Sequence, residues 1–214
     1  MLEELSPITI LAIVSLILAV VFYSKRKAYI YVLGILFINV VTEISLLIAT
    51  VGEANDLIFY LYNQYVIIHQ LLWLLLIVTL LYINKKEFLI PIAFALLQLL
   101  FVYITLPSDL HVYCFLVSFV IYLGYYLYKH YKKLSSENLS YFSNSTFILL
   151  SAPLIYFFSL AFIFGFRESE IREVEFFGFY FEEILSRTGS FIFYILIIVY
   201  IFKLRKEKKI LNHV

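Results

Sequence analysis

The chain has a single cysteine, Cys114, among 214 residues. An intramolecular disulfide is excluded, and a cysteine-built metal site has no ligand set. Charge is scarce as well: Asp, Glu, Lys and Arg fill only 14% of positions, against 64% hydrophobic. A water-soluble domain of this size needs far more polar surface to cover its exterior. The net charge of +1 lacks the basic excess that a nucleic-acid partner favours. Absent too are Gly-x-Ser-x-Gly, a phosphate-binding loop and His-Glu-x-x-His. Of the histidines His69, His111, His130 and His213, only His69 lies deep in an apolar run, so the converging ligands of an intramembrane zinc hydrolase are missing. The stretch from Arg187 to Phe202 contains no lysine, which argues against a retinal Schiff base in the last apolar run. No cofactor, metal or catalytic set is therefore expected.

What the chain has is long apolar stretches. Mean hydropathy is +0.96, and runs of roughly 18 or more apolar residues recur along the sequence, the length a helix needs to cross a bilayer. Seven spans are predicted, at 7–24, 29–51, 57–83, 88–106, 110–128, 145–166 and 179–202. The first is a retained span rather than a signal peptide, because its front is acidic (Glu3, Glu4) and the basic cluster Lys25-Arg26-Lys27 follows it.

The joints alternate in charge. Lys25-Arg26-Lys27, Lys85-Lys86, Lys129 to Lys133 and the Lys- and Arg-rich tail fall on one side. Glu53 and Asp56, Asp109, and the stretch Glu168 to Glu175 fall on the other. The Lys/Arg asymmetry places the basic joints in the cytoplasm. The expected fold is all-α: one polytopic seven-transmembrane bundle, N-terminus outside and C-terminus cytoplasmic, in a bacterial cytoplasmic membrane. The inner joint from Lys129 to Asn144 has no periodicity strong enough for a helix. The outer joint from Arg167 to Phe181 is acidic and then aromatic, and is expected along the headgroup layer. The 19 Tyr and 22 Phe suit a lipid-facing surface and its interfacial belts.

Charge within hydrocarbon costs about 2.5–3.5 kcal/mol on insertion scales, so ionisable groups inside the spans are the functional candidates. Glu43 lies well inside the second span with Asn39 one turn away on the same face. The third span carries Asn63, Gln64, His69 and Gln70. At ~1.5 Å rise per residue Glu43 is roughly 12 Å from the outer end of its helix, the depth of Asn63 to Tyr65, while Asn39 matches His69. In the last span Glu183 and Arg187 have the spacing of an ion pair, although Arg187 could reach Glu43 instead. Together these eight residues predict an outward-facing polar cavity between spans two, three and seven. The bland alternative is that Glu43, the amides and His69 hold helices together. Gln98 and Ser118 are read as structural. Pro91 and Pro153 can kink their spans.

The pair Thr42-Glu43, followed by Leu61-Tyr62-Asn63-Gln64-Tyr65, resembles a loose group of small bacterial seven-helix membrane proteins. The likeness covers about the first third of the chain and implies the seven-span fold, with no assigned chemistry to carry over.

The function expected from these features is a receptor-like sensor or ligand-binding membrane protein, taking a small molecule or ion from the outer side. With no effector domain attached, it would signal through a membrane or cytoplasmic protein partner. The alternatives are a small proton- or cation-coupled transporter or channel, in which the polar layer should continue inward, and an accessory subunit of a membrane complex. An enzyme would need Glu43 and His69 to act together on a lipid-like substrate across about one helical turn of depth.

Overall fold

The computed structural model describes residues 6–52, 55–81, 84–104, 112–166, 174–176 and 178–211. Of the expected acidic joints, Glu53, Asp109 and residues 167–173 lie outside these residues. Within the described chain are seven α-helices: α1 (Pro7–Val21), α2 (Lys27–Val51), α3 (Asn55–Leu81), α4 (Leu89–Ile104), α5 (Val112–Ser135), α6 (Ser145–Gly165) and α7 (Phe181–Leu211). Four of them are long and apolar enough to cross a membrane: α2, α3 over 60–81, α6, and α7 over 181–207. α1 is apolar but shorter.

Local chemistry fixes the helix ends. Ser6 caps α1, its hydroxyl accepting from the Thr9 N–H at 3.1 Å, and Pro7 opens the helix where its missing N–H costs nothing. Asn144 caps α6 in the same way through the Phe147 N–H at 3.0 Å. Pro91 falls in the first turn of α4, a position that tolerates proline without a kink. Pro153 lies in the interior of α6, where it removes a helix hydrogen bond. The buried Tyr122 of α5 donates its hydroxyl to the Leu150 carbonyl at 2.9 Å, one turn from that break.

One stretch differs from the sequence expectation, and a second adds a strand pair that the sequence did not announce. The joint from Lys129 to Asn144 is largely helical: α5 runs on to Ser135, and a 3-10 turn follows at Leu139–Ser143. Its local pattern is weak because the turn is held from a distance, by Tyr141 packing on His130 of α5 with ring centroids 5.5 Å apart. On the other side, residues 175–180 include a small antiparallel hairpin, β1 (Glu175–Phe176) and β2 (Phe179–Tyr180). Gly178, at φ 81°, supplies the left-handed backbone that this tight turn demands.

α3 is the central helix, in contact with α2, α4, α5 and α6, while α1 packs on both α2 and α7 and joins the two ends of the chain. The most extensive interface is α6 against α7. The core is aromatic, centred on Trp73, Tyr29, Tyr122, Phe94, Phe115, Phe157 and Phe193. Large apolar side chains such as Ile17, Val20, Ile30, Phe37, Leu96 and Leu99 face outward, while Asn39, Asn63, Gln70, Gln98 and Ser118 are buried. Water would favour the reverse. An apolar exterior over a partly polar interior, with four spanning-length helices, marks a membrane protein.

Candidate functional site

One end of α7 carries Glu182, Glu183, Ser186 and Arg187, a spacing that puts all four on one helix face. That face borders a cleft of ≈ 470 Å³ at the acidic end of the bundle, with Leu160, Ile163 and Phe164 of α6, Tyr62 of α3 and Tyr180 of β2. The floor is aromatic and aliphatic: Tyr62 and Phe164 meet edge to face at 6.3 Å and 82°. The rim is charged. Arg187 pairs with Glu183, as the one-turn spacing implies, and its guanidinium lies 5.7 Å from the centre of the Phe179 ring. The hairpin thereby helps to set the position of Arg187.

A second polar region lies deeper, between α1, α2, α3, α6 and α7. Glu43 accepts a hydrogen bond from the Thr9 hydroxyl at 3.2 Å. Thr9 is in the first turn of α1, where the exposed N–H groups favour a nearby negative charge. Asn39 donates its amide to the Tyr194 hydroxyl at 3.2 Å, and Tyr65 and Tyr156 share a hydroxyl contact at 3.1 Å. His69 stacks on Tyr65 at 4.9 Å and accepts from the Trp73 indole N–H at 3.2 Å through Nε2. With Nε2 used as an acceptor the ring is neutral, with its proton on Nδ1. Gln70 donates to the Phe115 carbonyl at 3.4 Å.

The eight residues expected to line one cavity therefore separate into two groups. Glu183 and Arg187 border the cleft. Asn39, Asn63, His69 and Gln70 are buried in the helix interfaces, and Glu43 and Gln64 are half-buried. Arg187 pairs with Glu183 and Glu43 with Thr9, which answers the question of Arg187's partner. Glu43 and His69 share no hydrogen bond: each has a different partner. The sequence reading missed the α6 wall. Leu160, Ile163 and Phe164 are an apolar i, i+3, i+4 stripe of the kind that lipid-facing and core-facing helices also carry.

Further polar pairs run toward the basic end. Gln98 donates to Ser118 at 2.7 Å, and Tyr126 and Ser151 share a hydroxyl contact at 2.8 Å. Lys129, whose side chain is 3% exposed, forms an ion pair with Glu87 at 2.6 Å, and Tyr125 donates to the same carboxylate. Next to it, His130 stacks on Tyr126 at 3.7 Å. Its Nδ1 contacts the Tyr126 carbonyl at 2.7 Å and its Nε2 contacts the Tyr141 hydroxyl at 3.2 Å. Burial holds His130 below its ordinary pKa, partly offset by the Tyr126 carbonyl, and burial pushes the Tyr141 phenol upward. Among the described residues no group of three or more His, Cys, Asp or Glu is placed to hold a metal.

No protein-family model matches this chain, and neither a curated protein nor a solved structure is significantly similar to it.

Proposed function

We propose that this chain is a receptor-like, ligand-binding protein of the bacterial cytoplasmic membrane. It spans the bilayer seven times, with the N-terminus and the cleft outside and the basic joints and C-terminus in the cytoplasm. It takes a small molecule from the outer side and acts through a membrane or cytoplasmic protein partner. The observation that carries this reading is the cleft between α3, α6 and α7, with an apolar floor and a charged rim. Pockets of this size with few, convergent polar groups are the usual form of small-molecule sites.

The orientation rests on the Lys/Arg asymmetry of the joints. A route for the signal is supplied by α7, an unbroken helix of 31 residues. It borders the cleft at Glu183 and, near its other end, holds α6 through Glu207, whose carboxylate accepts from the Ser145 N–H at 2.9 Å and the Ser145 hydroxyl at 2.7 Å. A ligand that wedges α6 from α7 at one end thereby acts on a contact between the same two helices at the other.

Native mass spectrometry on protein extracted gently from its membrane tests the reading. The expected result is a stoichiometric small molecule that is lost in Ile163→Trp, a change at a half-buried position of the apolar wall that narrows the cleft while the melting temperature is retained. A wild-type protein that retains and takes up nothing, even when incubated with extract of its own growth medium, overturns it.

One observation favours proton or cation movement as a second reading: the polar pairs continue from Glu43 past Tyr65–Tyr156 to Gln98–Ser118 and Tyr126–Ser151. Proteoliposome flux that disappears in Glu43→Gln would move the assignment to transport.

A further inference from the structure

We infer that the cleft recognises a zwitterion: an ammonium and an acid group a few bonds apart, carried on an apolar body. This rests on the cleft being a ligand site, and it assigns the class of ligand. The rim already holds a matched pair of opposite charges, Glu183 and Arg187, within one turn of α7. Their side chains are 37% and 59% exposed, so the pair gains little from facing itself across water. A ligand presenting an acid to Arg187 and an ammonium to Glu183 replaces that weak contact with two charge-assisted hydrogen bonds. The guanidinium fork suits a carboxylate or phosphate.

The Phe179 ring lies 5.7 Å from the guanidinium, within the range of a cation–π contact. Beneath the rim, Tyr62 and Phe164, edge to face, offer an aromatic or branched aliphatic body an aromatic surface. The volume of ≈ 470 Å³ admits an amino acid or dipeptide with a large side chain, or the headgroup end of an ethanolamine phospholipid. Both sources carry the same charge pair.

Isothermal titration of the full chain in a non-ionic detergent separates these cases. The probes are L-phenylalanine, dihexanoyl phosphatidylethanolamine, the cation phenylalaninamide and the anion N-acetylphenylalanine. The expected result is that at least one zwitterion binds and that both singly charged analogues bind at least about tenfold more weakly, the loss of one charge-assisted hydrogen bond. Binding of phenylalanine alone assigns a soluble ligand, and binding of the lipid alone assigns a headgroup. Arg187→Gln should lower zwitterion affinity by about tenfold while leaving phenylalaninamide unchanged or tighter. Both rim positions are exposed, so an unchanged melting temperature confirms that the variant is folded. Equal binding of phenylalaninamide overturns the zwitterion while leaving the cleft a ligand site. No binding of any probe at millimolar concentration, with a small molecule still retained in native mass spectrometry, also overturns it. An empty cleft in both experiments removes the ligand-site reading itself.

Discussion

Gly189 of α7 lies so close to Ser159 of α6 that a β-carbon built on it would fall 2.5 Å from the Ser159 hydroxyl oxygen and 2.8 Å from its β-carbon. No side chain fits there. Bilayer helices approach closely only over small residues, since lipid tails provide no hydrophobic drive between helices. Gly189→Ala should force α6 and α7 apart and cost about 1–3 kcal/mol, the usual range for overpacking. Ser159→Gly should recover much of that loss in the double variant, because it removes both atoms that collide. Thermal unfolding in detergent measures both. Independent, additive losses would show that the two helices do not meet at this point.

The Glu87–Lys129 pair is asymmetric, with Lys129 3% and Glu87 20% exposed. Removing either partner should destabilise the fold, by about 2–3 kcal/mol, below the ~3–5 typical of fully buried pairs because the carboxylate is partly wet. Glu87→Gln should cost more than Lys129→Met, because it strands the more deeply buried charge. Denaturant titration of the two variants gives the order, and the reverse order would count against this account.

His130 makes stability pH-dependent near the basic end. Folding lowers its pKa from 6.5, chiefly through burial. Above that value both folded and unfolded chains hold a neutral imidazole, and the packing is fully available. As pH falls below it, the unfolded chain takes up a proton that the folded chain resists, so stability decreases. The Tyr126 carbonyl and the Tyr141 hydroxyl fix the neutral ring, with Nδ1–H donating and Nε2 accepting. Melting temperature should drop between pH 7.5 and 5, and His130→Gln should flatten that drop. A wild-type profile indistinguishable from the variant's would show that His130 is not the group responsible.

Glu207 caps a helix to which it does not belong. Its two oxygens take the Ser145 N–H and hydroxyl, so Glu207→Ala leaves the start of α6 with a lost partner and a lost favourable charge. A cost of about 1 kcal/mol is expected. Amide exchange should accelerate at 145–148 first. Uniform acceleration along α6 would indicate a global effect instead.

The helices were legible because each is written locally, as an apolar run between polar joints. The Glu183–Arg187 pair was legible for the same reason, since one turn of a helix can be counted. Partners across the bundle could not be read. Thr9 and Glu43 are 34 positions apart and Asn39 and Tyr194 155 apart, and no periodicity encodes which helix faces which. Tyr194 in particular reads as one more ring among many. Lys129 looked like one charge in a basic joint until α5 turned it inward onto Glu87. The α6 wall of the cleft stayed hidden because leucine, isoleucine and phenylalanine serve lipid, core and pocket equally well.

Trp73 is the single tryptophan of the chain, and it is wholly buried. Its indole N–H is held by His69, and its ring lies edge-on to Phe193 of α7 at 5.9 Å and to Tyr122 of α5 at 6.4 Å. The molecule therefore contains one tryptophan emitter, at the junction of three helices and next to Tyr122, which can pass excitation to it. Any displacement of α7 relative to α3 changes the surroundings of that one emitter. Its colour and lifetime can be followed without a label, in the purified protein in detergent, while candidate ligands are added.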